Sequence, residues 1–127
     1  MEPIRVLLVD DNVTFLRIAT LFLQQYPEVS IVGTADGGFA ALRQARDLKP
    51  QLILLDLVMP DLAGLKVIPL LRAGLPQMGI IALTLHETDG YRQAALAAGA
   101  DAFVTKRTLS AELLPAIRRV YAAKSKT

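Results

Sequence analysis

The chain has 127 residues, 14 Lys+Arg against 12 Asp+Glu, 53% hydrophobic and 20% charged residues, and neither Cys nor Trp. That length suits one hydrophobic core, and the composition excludes an intrinsically disordered chain. Without cysteine there is no disulfide framework, thiolate metal site or cysteine nucleophile, and no apolar run nears the ~20 residues that span a bilayer, so the expectation is a soluble, cytoplasmic domain with no membrane partner.

The first aliphatic run, Ile4–Val9, is continuous over Val6–Val9 rather than alternating and ends at Asp10-Asp11, as a strand covered on both faces does. Asn12–Gln25 follows as a helix, with Phe15, Ile18, Ala19 and Phe22 at three- and four-residue spacing and Asp11 or Asn12 as its cap. Val29–Ala35 reads as the second strand and Gly38–Leu48 as the second helix, closed by Pro50. Leu52–Leu55 is the third strand, ending at Asp56. Leu65–Ala73 is the third helix, with Gly74 just past its end; Pro69, about one turn in, is expected to shorten or distort it. Met78–Leu83 predicts a fourth strand ending at Thr84, and Tyr91–Ala98 a helix closed by Gly99. Ala102–Val104 is the fifth strand, followed after Thr105 by Lys106. Ser110–Ala122 is the last helix, capped by Ser110, with Leu113, Leu114, Ile117 and Val120 facing inward and Arg118, Arg119 and Lys124 outward. Lys124–Thr127 reads as a tail or the start of a linker.

Strict alternation of strands and helices points to an α/β fold: an open, doubly wound parallel sheet with right-handed crossovers. All strand ends then lie on one carboxyl edge, where such sheets bind ligands, so Asp10, Asp11, Asp56, Thr84 and Lys106 converge in space. Each has an ordinary reading alone: the aspartates as a helix cap or a loop acid, Thr84 as a strand former, Lys106 as a solvated lysine. Together they specify chemistry. Three adjacent carboxylates require a counter-cation or a proton, and an all-oxygen site open to water suits Mg²⁺. A metal, an ammonium and a hydroxyl around a carboxylate suit phosphoryl transfer to that carboxylate, and Asp56, on the central strand, is the nucleophile.

The segments Val-Leu-Leu-Val-Asp10-Asp11-Asn12, Leu-Leu-Asp56-Leu-Val-Met-Pro60-Asp-Leu-Ala-Gly64, Ala-Leu-Thr84 and Ala-Gly99-Ala-Asp-Ala-Phe103-Val-Thr-Lys106 resemble the receiver domains of bacterial two-component response regulators. Pro27-Glu28-Val29 through Val32-Gly33, the Thr84-Leu85-His86 turn and Tyr91 before Ala94–Ala98 resemble the subfamily whose receivers precede a helix-turn-helix DNA-binding domain. The resemblance implies a flavodoxin-like (βα)5 fold with strand order 2-1-3-4-5, a receiver over residues 1–123, a tail at 124–127, and an output domain absent from this chain. It implies that Asp56 accepts phosphate from a sensor histidine kinase or phosphotransfer protein, and that Asp11, Asp56 and the Val58 main-chain carbonyl bind Mg²⁺, with Asp10 acting through metal-bound water. Thr84 and Lys106 would hold phosphoryl oxygens, and Thr84 and Phe103 would form the switch. The expected product is a phosphorelay switch rather than an enzyme. It would regulate transcription, pair into homodimers on phosphorylation, and reach DNA only through the missing output domain.

Some residues depart from the family pattern. Arg107 stands where many relatives have Pro, which leaves the isomer of its peptide bond open, and it is expected to face solvent. Phe103 lacks the hydroxyl of relatives with Tyr. Apolar Val58 cannot orient an attacking water, so slow self-dephosphorylation is expected, and His86, the one histidine, is expected at the surface. A Mg²⁺-dependent phosphohydrolase working through an aspartyl phosphate is the competing reading. Haloacid-dehalogenase-like enzymes, however, need a second acid where Asn12 stands, and little sequence remains for a substrate cap. A dinucleotide site lacks its glycine-rich turn. The net charge of +2 does not mark a nucleic-acid surface, because residues 1–117 hold 10 Lys+Arg against 12 Asp+Glu and the excess positive charge lies in the last helix and tail.

Overall fold

The computed structural model describes residues 2–85 and 89–125. Its elements run β1 (Ile4–Val9), α1 (Val13–Gln24), β2 (Val29–Ala35), α2 (Gly38–Leu48), β3 (Leu52–Asp56), α3 (Gly64–Gly74), β4 (Gly79–Thr84), α4 (Asp89–Ala98), β5 (Ala102–Thr105), a 3₁₀ turn at Lys106–Thr108, and α5 (Leu109–Lys124). The five strands form one parallel sheet in the order β2-β1-β3-β4-β5, which is the doubly wound architecture and strand order expected.

The continuous aliphatic strands follow from a sheet buried on both faces. Val6, Leu8, Leu52, Leu54, Ile81 and Leu83 point to one side, against Ala19 and Leu23 of α1 and Leu113, Ile117 and Val120 of α5. Their neighbours Leu7, Val9, Ile53, Leu55, Ile80 and Ala82 point to the other, against Ala41 of α2, Val67 and Ile68 of α3 and Ala95 of α4. Alternation thus persists in direction while disappearing from polarity.

Register carries the functional residues together. Val9 lies opposite Leu55, so Asp10 and Asp56 leave adjacent strands at the same level. Asp56 is opposite Leu83, one residue before Thr84, and Thr84 is opposite Thr105, one residue before Lys106. Gly64 opens α3 directly beneath this edge. A Cβ there would come within 2.5 Å of the Asp56 carbonyl oxygen and 2.7 Å of the Leu57 Cα, so the close approach requires glycine.

Several local expectations are corrected. Of the two candidate caps of α1, Asn12 does the work: its Oδ1 accepts the Phe15 N–H at 3.1 Å. Ile18 is 55% exposed, whereas Leu23 is fully buried. The buried arc of α1 is centred on Ala19 and Leu23, flanked by Phe15, Leu16 and Phe22, and Ile18 falls on its outer flank. Ser110 does not cap α5. The 3₁₀ turn feeds into the helix one residue earlier, and it is Thr108 that donates its hydroxyl to Glu112. Pro69 does not break α3, which runs continuously to Gly74. The proline ring lies on the exposed side, while Val67, Ile68 and Leu71 hold the opposite face in the core. Gly74 is therefore the last helical residue rather than the first beyond it. Gly99 does terminate α4, at φ +124°, the left-handed region that favours glycine. Lys124 belongs to α5, and its Nζ lies 3.1 Å from Asp101 Oδ1, so it is part of the folded body rather than of a tail.

Gly64→Ala is expected to destabilise the protein by about 1–3 kcal/mol, because the added methyl meets backbone that must shift. Urea unfolding would measure this, and an unchanged midpoint would show that the α3 entry has slack.

Candidate functional site

At the carboxyl edge of the sheet a cleft of about 230 Å³ is lined by Asp10, Asp11, Asp56, Val58, Thr84 and Lys106, together with Asn12 and Leu85. A larger groove of about 510 Å³ lies beside Glu28 and Arg118, but those two charges satisfy each other in a two-pronged pair at 2.6 and 3.0 Å. Chemistry, not volume, singles out the cleft.

Asp10 and Thr84 are fully buried and Asp56 is 4% exposed, whereas Asp11 is exposed at the rim. Asp10 Oδ1 accepts the Asn12 N–H at 2.9 Å, which ties the end of β1 to the cap of α1. Its Oδ2 is sealed from solvent and receives no well-directed hydrogen bond; the Lys106 ammonium at 2.5 Å is its counter-charge. The same ammonium lies 3.6 Å from Asp56 Oδ1. On another side it faces the Phe15 ring, with Nζ 4.3 Å from the centroid, a cation–π contact. Burial pushes the Asp56 carboxyl up to about 6; the Asp10 charge adds to this, and Lys106 and a hydrogen bond from the Val58 N–H oppose it.

Three carboxylates with one ammonium among them leave an excess of negative charge in a nearly dry site. Ligand oxygens of Asp10, Asp11 and Asp56 lie within 4.8 Å of one another. An all-oxygen set with a charge deficit and one sealed, poorly bonded carboxylate oxygen fits a hard divalent cation such as Mg²⁺.

The remaining predicted residues fall around this centre. Val58 stands half-exposed beside Asp56. Phe103 is buried in the layer that faces α3 and α4, on the same side of the sheet as the Thr84 side chain, and the Arg92 guanidinium lies 4.8 Å over its ring. Arg107 is solvent-exposed, and no cis peptide bond occurs among the described residues, so the Lys106–Arg107 bond is trans. His86 lies outside the described residues.

Two contributors are invisible in the sequence pattern. Phe15 reads as a core position of an amphipathic helix, and only its place in the first turn, four residues beyond Asp11, hints at the cleft. Asp61 accepts the N–H groups of Gly38 and Phe39 at 2.9 and 3.2 Å, capping α2 from a loop 23 residues away, and these bonds hold its carboxyl below the usual range. That contact fastens the loop leaving Asp56 to the neighbouring helix.

Residues 6–118 match the family model described as response regulator receiver domain. The chain is 38% identical over 119 residues to the response regulator GacA of Pseudomonas viridiflava and 34% identical over 120 residues to the response regulator protein VraR of Staphylococcus saprophyticus; 94% of this chain is covered in each case. It spans 56–57% of the length of these relatives. Among solved structures, the response regulator domain of Thermotoga maritima CheB superposes with TM-score 0.88 at 30% identity, covering 94% of this chain and 97% of the other. A LuxR-family two-component response regulator from Aurantimonas superposes with TM-score 0.91 at 27% identity, over 95% and 86% of the two chains.

Because the folded state raises the Asp56 pKa, its charged form weakens the metal-free fold. The penalty is absent below the unfolded value near 3.8, grows through the interval to about 6, and is complete above it. Asp56→Asn should therefore stabilise the metal-free protein at pH 8 by up to about 3 kcal/mol, with the gain vanishing near pH 4. Thermal unfolding across that range checks the sign; a loss of stability at pH 8 would contradict it.

Proposed function

This chain belongs to the response-regulator receiver family, whose members work in phosphorelay signalling, and on that premise we propose that Asp56 accepts a phosphoryl group from a phosphohistidine of a sensor kinase or phosphotransfer protein. The observation that carries the reading is a buried carboxylate on the central strand, flanked by Asp10 and Lys106 in a cleft open to one side.

An Asp56 oxygen attacks phosphorus as the P–N bond breaks, and the bonding pair stays on the imidazole nitrogen. With a proton already on the other ring nitrogen of the phosphohistidine, the products are an acyl phosphate on Asp56 and a neutral imidazole. Lys106 supplies a fixed positive charge to the phosphoryl oxygens, and Thr84 supplies a hydroxyl from the adjacent strand. Asp10, Asp11, Asp56 and the Val58 carbonyl would hold Mg²⁺, which when bound neutralises charge on the transferring group. Burial of Asp56 excludes competing water and strengthens each of these interactions.

The acyl phosphate replaces the one carboxylate charge of Asp56 with about two on the phosphoryl oxygens, a net gain of about one negative charge in a site already rich in them. Thr84 then moves toward the new oxygens, and Phe103, on the same side of the sheet, repacks into the space left. With no hydroxyl, this switch works by packing, and the Arg92 contact over the ring is part of what it must break or carry along. The chain is thus a phosphoaccepting switch and not a turnover enzyme, located in the cytoplasm. The response regulators it resembles are longer than this chain, which supports a role in transcription control through an output domain outside it; homodimer formation on phosphorylation belongs to the same reading. Family membership weighs against the phosphohydrolase.

Incubation with acetyl phosphate and Mg²⁺ should give one base-labile phosphate on Asp56, lost in Asp56→Asn and seen by intact-mass and peptide mass spectrometry. Rapid multiple turnover without trapped phosphate would favour the hydrolase instead. Val58→Asn should shorten the lifetime of the acyl phosphate by about ten-fold, because an amide beside Asp56 can orient the attacking water as valine cannot. An unchanged lifetime would show that Val58 does not control water access.

A further inference from the structure

We propose that Phe15 is a positioning residue for Lys106: its ring face holds the ammonium in the cleft independently of the carboxylates. This inference rests on the phosphoacceptor reading of Asp56 and assigns a part to a residue outside the acid, hydroxyl and amine set.

Among the described residues the ammonium has three neighbours of two kinds. Asp10 Oδ2 at 2.5 Å and Asp56 Oδ1 at 3.6 Å attract it by charge, and the Phe15 ring at 4.3 Å attracts it through the negative face of the π system. The Lys106 side chain is only 9% exposed, so the cation–π contact operates where solvent screens little. Phe15 is itself fixed at two points. Its ring packs partly buried against the core layer beneath α1, and its N–H donates to Asn12 Oδ1, while the Asn12 N–H donates to Asp10 Oδ1. The acid and the ring that share Lys106 are therefore linked through one helix cap.

The two kinds of partner respond differently to the chemistry. Any cation shared by Asp10, Asp11 and Asp56 weakens their hold on Lys106, and phosphorylation moves the Asp56 charge from the carboxylate to the phosphoryl oxygens. The ring neither titrates nor ligates, so its attraction persists through both changes. It also presents no lone pair or negative charge that would repel an incoming phosphoryl group. An aliphatic side chain would fill the same space but leave the ammonium to the carboxylates alone.

The test compares the wild type, Phe15→Leu and Phe15→Tyr. In metal-free protein, NMR should show the Lys106 Hε protons shifted upfield by the Phe15 ring current, the shift lost in Phe15→Leu and kept in Phe15→Tyr. With acetyl phosphate and Mg²⁺, Phe15→Leu should label Asp56 about three- to ten-fold more slowly at saturating donor, the loss of one partly desolvated cation–π contact. Its Mg²⁺ affinity by NMR titration should stay within about two-fold, and Phe15→Tyr should restore the rate. A purely structural role would lower thermal stability without separating rate from metal affinity. Labelling of Phe15→Leu at the wild-type rate, a slowed rate that Phe15→Tyr fails to restore, or an unshifted Lys106 in the wild type overturns the inference alone. Absence of phosphate on wild-type Asp56 overturns the phosphoacceptor reading and this inference with it.

Discussion

The ammonium of Lys106 shared between Asp10 and Asp56 is the interaction on which the functional edge depends. Two buried carboxylates on adjacent strands, with a third at the rim, could not coexist in a nearly dry cleft without a positive neighbour. One lysine leaves the account unbalanced, and that imbalance gives the site its chemistry. Asp56 is held up at about 6 by burial and by Asp10, so the site gains by admitting a cation, which also offsets the charge that a phosphoryl group brings.

The rest of the fold serves to hold these groups at one level. A parallel sheet sends every strand end to the same edge, and the register across β1, β3, β4 and β5 puts the polar residue at each end beside its neighbour. The loop after Asp56 is fixed from two sides, by the glycine contact at the start of α3 and by the Asp61 cap on α2. At the opposite edge Asp101 anchors the start of β5: its Oδ2 accepts from Arg72 at 2.9 Å and from the Ile80 N–H at 2.8 Å, and its Oδ1 meets Lys124. Arg72 also donates to the Met78 and Gly99 carbonyls at 2.6 and 2.7 Å, which ties α3 and α4 to the entry of the outer strands.

The architecture was legible because it depends on patterns that survive averaging over many residues. Continuous aliphatic runs such as Leu52–Leu55 can be satisfied only by a sheet covered on both faces, and the topology then gathers distant polar residues. Details decided by one contact were less legible. Ile18 and Leu23 lie about 140° apart around α1, beyond and within an apolar arc whose centre hydrophobicity alone cannot fix. Ser110 has the chemistry of a cap, but a 3₁₀ turn beginning at Lys106 moved the helix start. Pro69 costs α3 an internal hydrogen bond, yet the packing of Val67, Ile68 and Leu71 outweighs it. Asp61 and Phe15 were hidden for another reason: each acts on a partner far away in sequence, and nothing in its own neighbourhood reports that partner.

On this reading Lys106 serves Asp10 and Asp56 in the resting protein and a phosphoryl group on Asp56 in the active one. A crystal structure with Mg²⁺ and beryllofluoride tests it most directly. The expected result is a beryllofluoride adduct on Asp56, with the Lys106 ammonium drawn off Asp10 onto a fluorine and the Thr84 hydroxyl on another. An adduct at a different residue, or Lys106 still paired to Asp10 beside a modified Asp56, would contradict it.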